Sequence, residues 1–90
     1  MAASEPISEQ LARARRIRGD GPTTFDYLRW RDATDELLID LLGPSHDAVA
    51  AFRTAVGPVH DKEAEGLQIH GQHGMLARLN RAEATLHSLL

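Results

Sequence analysis

Residues 69–74 read IHGQHG, which sets His70 and His73 three positions apart. On a helix that spacing places two imidazoles on one face, an arrangement from which zinc sites are built. The preceding stretch, GPVHDKEAE, adds His60, Asp61, Glu63 and Glu65 as further donors. Two features count against a metal centre. Each histidine is followed by glycine, so the backbone that would hold the ligand geometry is among the least constrained in the chain. The His-Glu-x-x-His pattern of a catalytic zinc helix is missing, and the chain has no cysteine. Imidazole titrates near neutrality, but nothing in the pattern selects these side chains as a switch. The stretch therefore reads as a polar hinge, with no metal and no cofactor expected.

Two other groups have the right residue types for chemistry. Ser45, His46 and Asp47 are consecutive and comprise the members of a hydrolase triad. A working triad is assembled from distant positions so that base and nucleophile point at each other. Contiguous residues at a helix start point apart, and Ser45 or His46 reads instead as an N-cap. Arg13, Arg15, Arg16 and Arg18 form a basic cluster that could contact phosphates. The alternative is a solvated face opposite Ile7, Leu11 and Ala14. No phosphate loop accompanies the cluster, because GDGP at 19–22 lacks the lysine and the strand that such a loop needs. The carboxylates Asp32, Asp35, Glu36 and Asp40 fall on the polar side of their segment and do not form a catalytic pair.

The elements that would carry these groups are helical. Ser4 is a candidate N-cap for a first helix, Gly19 its candidate stop, and Ile7, Leu11, Ala14 and Ile17 lie on one face. In the second segment Thr23 and Asp26 form a variant capping box. Tyr27, Trp30, Thr34, Leu37, Leu38 and Leu41 form the apolar stripe there, widened by Phe25, Leu28 and Leu42. Gly43-Pro44 ends it, and Gly57-Pro58 ends a short third segment buried through Val49, Phe52 and Val56. The fourth segment, MLARLNRAEATLHSLL, aligns Met75, Leu79, Ala82, Leu86 and Leu89, with Leu76, Glu83 and Leu90 beside them. No stretch alternates with period two, so strands are not expected.

Composition bounds the rest. Ninety residues allow one modest core. The only aromatics are Phe25, Tyr27, Trp30 and Phe52, so Leu, Ala, Ile and Val must supply most of that core. A net charge of −3 argues against a general nucleic-acid binder. The start of the chain, MAASEPISEQ, has no basic and apolar leader, and no apolar run approaches a bilayer span. With the lack of cysteine, this leads to the expectation of a cytoplasmic protein without a membrane segment.

The order of landmarks is also familiar. An arginine-rich helix with Leu11 precedes Phe25 and Trp30. The run LLIDLLG sets Gly43 thirteen positions after Trp30, Phe52 follows nine later, and LNRAEATLHSLL closes the chain. This resembles the helical N-terminal region ahead of effector domains in bacterial proteins of the TIR-like, predicted nucleotide-binding kind, associated with anti-phage defence. The resemblance spans roughly residues 8 to 90, with Leu42 where that pattern prefers Phe and Pro44 after the glycine. It implies a helical module that positions, oligomerises or regulates something else, and it brings no catalytic residue.

The expected architecture is all-α: a single domain over 1–90, a small bundle of three to four helices at about 5–18, 24–42, 46–56 and 74–90, with a mobile connection at 57–73. The second and fourth helices are expected to pack antiparallel, with Phe25, Trp30, Leu38, Leu41, Phe52 and Leu79 in the core. The expected function is non-enzymatic protein–protein interaction, by self-association or docking that regulates an effector. Leu86, Leu89 and Leu90 are the expected interface, because their stripe runs off the chain end. The alternatives are a small nucleic-acid-binding regulator using the arginine cluster and a histidine-based metal protein.

Overall fold

A computed structural model describes residues 4–58 and 66–90. Helix α1 spans Ser4–Asp20, α2 Thr24–Leu42, α3 Asp47–Val56 and α4 Met75–His87. No strand occurs among the described residues, and none of their helices is long and apolar enough to cross a membrane. The all-α bundle expected from periodicity is the fold observed.

Helix ends follow local chemistry in most places. Thr23 caps α2, its hydroxyl accepting from the Asp26 amide at 3.1 Å. Gly43 and Gly57 close α2 and α3, their amides donating to Ile39 O and Arg53 O at 2.8 and 3.0 Å. α1 departs from expectation at both ends. Ser4 is already helical rather than a cap, and Gly19 lies inside the helix, with Asp20 the last residue. A single glycine costs only about 1 kcal/mol in a helix, which continued packing of the neighbouring turns can offset.

The packed pairs are α1 with α2, α2 with α3, α3 with α4 and α4 with α1. The four helices thus close a ring in which α2 and α4 are not among the closely packed pairs, correcting the expected direct packing of those two as the main pair. The reason is topological. The short α3 is inserted between them and presents Val49, Phe52 and Val56, all buried, to the interior. α1 closes the other side with Ile7, Leu11 and Ala14. Tyr27, Trp30 and Leu38 of α2 and Met75, Leu79, Ala82 and Leu86 of α4 complete the core. Leu41 only packs half-buried against it, and Phe25 is 67% exposed, so neither is the core residue expected.

Polar groups tie the helices in pairs. The Trp30 indole N–H donates to Gln10 O at 2.9 Å, and the Gln10 amide donates to the Thr34 hydroxyl at 2.9 Å. Both bonds are buried, which is how α1 and α2 place polar atoms in an apolar seam without orphaning them. α4 is joined to α1 by Arg18, whose Nε and Nη2 donate to the two Glu83 oxygens at 2.9 and 3.0 Å. α4 also clasps the end of α3. Arg78 donates to Val56 O and Pro58 O, and Arg81 donates to Ala55 O at 2.8 Å. Cations on the last carbonyls of a helix also complement its dipole.

One buried group is left over. Among the described residues the Tyr27 hydroxyl has no hydrogen bond of good geometry, although the ring is fully buried and the Arg78 guanidinium lies near it. Burial pushes its pKa above the ordinary phenol value, opposed by the nearby Arg78 guanidinium. A buried donor without an acceptor contributes nothing favourable and carries a desolvation cost. Tyr27→Phe is therefore expected to leave stability unchanged or raise it by about 1 kcal/mol, read by urea unfolding. A loss of more than that would show that the hydroxyl has a partner in solution, such as an internal water.

Candidate functional site

The IHGQHG stretch is a turn leading into α4. Gly71 adopts φ +96°, a conformation that side chains with a Cβ rarely take. Gly74 N donates to Gly71 O at 3.0 Å, and a Cβ at Gly74 would run into the His70 carbonyl. The glycines are thus required by the turn, and His70 and His73 stand exposed on it. The turn is also tied to the bundle. Leu67 is buried with its amide donating to Thr24 Oγ1 at 2.9 Å, and the carbonyls of Gln72 and His73 accept from Arg81 and Arg78. The described part of the 57–73 connection is thus tied to side chains of α2 and α4. His60, Asp61, Glu63 and Glu65 lie outside the described residues. Among those described, no three His, Asp or Glu side chains come together as metal ligands.

Ser45, His46 and Asp47 do not converge either. His46 is the N-cap of α3, its Nδ1 accepting from the Ala48 amide at 3.0 Å, while Ser45 lies exposed in the preceding turn. An imidazole nitrogen that accepts from the backbone has no lone pair left for a serine proton.

The arginine cluster divides by position on α1. Arg18 is held by Glu83, and Arg15 approaches the same carboxylate at 3.7 Å. These two are joined to α4. Among the described residues Arg13 pairs with Glu9 alone, at 3.6 Å on the open surface, and Arg16 forms no ion pair. Arg13 and Arg16 turn towards α2, where they line an open cleft of 560 Å³ with Ile17, Asp26, Arg29, Trp30 and Ala33. Arg29 was not expected there. Its guanidinium lies 5.9 Å from the centroid of the exposed Phe25 ring, a cation–π contact. The positions of Phe25 and Arg29, four apart on α2, were the available signal.

The interface expected at the end of α4 is only partly on the surface. Leu86 is fully buried, because α1 packs along α4 and covers that part of the stripe. It is a core residue, not a contact residue. Leu89 is half-buried against the core, and Leu90 is 54% exposed. The large apolar side chains that do face solvent among the described residues are Phe25, Ile69 and Leu90.

A second open cleft, of 640 Å³, lies between α2 and α3 and is lined by Arg31, Asp35, Phe52, Arg53, Val56 and Pro58 among others. Arg53 spans it with two bonds to the Asp35 carboxylate at 2.9 and 3.0 Å. Hydrogen bonding from Arg53 holds the Asp35 carboxyl below its ordinary pKa of 3.8. A folded pKa that is depressed gives stability present above the unfolded value and lost as pH falls through the folded one. Wild type is therefore expected to exceed Asp35→Asn in stability near neutral pH, with the difference shrinking as pH drops below 3.8. Urea midpoints of both proteins measured from pH 6 to about pH 2 check this. A difference independent of pH would remove the ion pair as its cause.

Compared with known proteins, the chain matches no family model, no curated protein and no solved structure.

Proposed function

We propose that this chain is a protein–protein interaction module that acts by self-association, bringing together whatever it is joined to or docks on. The observation that carries the reading is Phe25. Three of the four aromatic residues are spent on the core, and the fourth is left 67% exposed under an arginine. Aromatic residues and arginine are among the residue types enriched where proteins bind each other. The expected surface thereby moves from the end of α4 to the start of α2. A regulatory role beside an effector in bacterial anti-phage defence is the part of the proposal that rests on the sequence resemblance alone.

The test is the mass of the chain by light scattering over a range of concentration. Wild type is expected to rise above the 9.9 kDa of one chain, and Phe25→Ser to shift that rise to higher concentration. A constant single-chain mass up to millimolar protein would overturn self-association. Nucleic-acid binding is the second reading, favoured by the cleft shared by Arg13, Arg16 and Arg29. It requires binding of an oligonucleotide that weakens steeply with salt and is lost when those three become Gln.

A further inference from the structure

The outer face of α2 carries Phe25, Arg29, Ala33, Glu36 and Asp40, all exposed. At about 3.6 residues per turn they fall within an arc of about 80°, forming one stripe along the helix. The stripe is ordered by charge. Along the stripe itself the N-terminal half is aromatic and basic, the middle is alanine and the C-terminal half is acidic; the acids at its edges are Asp26, in the cleft with Arg29, and Asp32, which Arg31 already holds. Arg29 makes no ion pair with a described residue, and neither do Glu36 and Asp40. Arg13 and Arg16 of α1 reinforce the basic half through the cleft they share with Arg29. Beside Ala33 that cleft continues into a smaller one, bounded by Pro6, Glu9, Gln10, Arg13 and Leu37.

We propose that two copies of the chain pair through this stripe, with their α2 helices antiparallel about a two-fold axis beside Ala33, so that Arg29 of each copy meets Glu36 of the other. The occupant follows from charge complementarity within the stripe itself. Reversing a helix about a point midway between residues 32 and 33 exchanges position 29 with 36 and position 25 with 40. Each unpaired cation is thereby brought opposite an unpaired carboxylate, and each pairing occurs twice, as an isologous contact requires. Ala33 lies at the axis, where its small side chain lets the two backbones approach. Phe25 of each copy falls by Asp40 of the other, at the outer end of the contact. A nucleic acid fits less well, since a polyphosphate drawn to Arg29 would run on to Glu36 and Asp40. The contact is small and polar, so its dissociation constant belongs in the micromolar range and rises with salt.

The inference rests on the self-association reading, and charge reversal separates the two. Arg29→Glu places four acids across the axis and Glu36→Arg four bases, so each alone is expected to weaken dimerisation at least tenfold. Mixing the two single variants in equal amounts should restore the dimer as a heterodimer, and the double variant should restore it as a homodimer. Both positions are exposed, and circular dichroism checks that each variant is folded. If wild type dimerises but neither reversal changes its mass, this face is not the interface while self-association stands. Association that grows without limit would replace the two-fold contact by a head-to-tail one and also overturn the proposal. A wild-type mass that stays at one chain removes both.

Discussion

Replacing Trp30 by alanine is expected to lower the free energy of unfolding by about 3–5 kcal/mol. The side chain is 4% exposed, and it is the point at which three helices meet. Its ring stands edge-on to Phe52 of α3, with centroids 5.8 Å apart and planes at 61°. Its N–H donates into α1 at Gln10 O. Truncation removes the largest side chain of the core and leaves a cavity that a ring of four helices cannot collapse around without moving one of them. Domains of this size are marginal, with total stabilities of roughly 5–10 kcal/mol, so the variant should be largely unfolded by moderate urea. Trp30→Phe separates the two parts of the effect. It keeps an aromatic against Phe52 and loses the hydrogen bond, and it should cost about 1–2 kcal/mol. Urea unfolding followed by circular dichroism measures both. A Trp30→Ala protein within 1 kcal/mol of wild type would contradict the three-helix junction.

The helices could be read from the chain because their signals are local. Thr23 at one end of α2 and Gly43 at the other act within a few residues of their position, and burial recurs with the helical period. Which helices pack together is not a local property. Each apolar stripe needs cover, but α2 can be covered by α3 as well as by α4, and the choice depends on how the short α3 fills the space between them. Phe25 was legible by angle and misread by chemistry. It lies nearly opposite Tyr27 round the helix, so position rather than hydrophobicity places it in solvent. Gln10 is the reverse case. It falls within the arc of Ile7, Leu11, Ala14 and Ile17, which already implies a buried amide with a partner, and Thr34 is that partner. Leu86 sits on the core row of α4 by the same arithmetic, and only the run of the stripe towards the chain end suggested another role. The stripe from Phe25 to Asp40 needed structure, since its meaning depends on which charges other helices have already taken.

Arg78 is the clearest product of non-local packing, and Arg78→Met is expected to lower the unfolding free energy by about 2–4 kcal/mol. Its spacing places it at the edge of the buried row of α4, where an arginine would ordinarily reach solvent. Instead it is 3% exposed. Nε donates to His73 O at 2.7 Å, and Nη1 donates to Val56 O at 3.0 Å and Pro58 O at 3.1 Å. One guanidinium thus closes the end of α3 and the turn before α4. Methionine preserves the aliphatic stem and avoids a buried charge, so the loss reports on the guanidinium's interactions, the three bonds to carbonyl oxygens among them. Those oxygens cannot be met by a shorter or apolar side chain, and the Val56 carbonyl, in a buried bond, is poorly placed to recruit water. Lysine keeps the charge but not the planar fork that serves separate acceptors, so Arg78→Lys should recover less than half of the loss. Amide exchange distinguishes this role from general packing. In Arg78→Met, protection should fall first at Gly57, Gly74 and Met75, whose amides close α3 and open α4, while the α1–α2 pair keeps its protection. Uniform loss across all four helices would mean that Arg78 acts through the whole core and not as the clasp between α3 and α4.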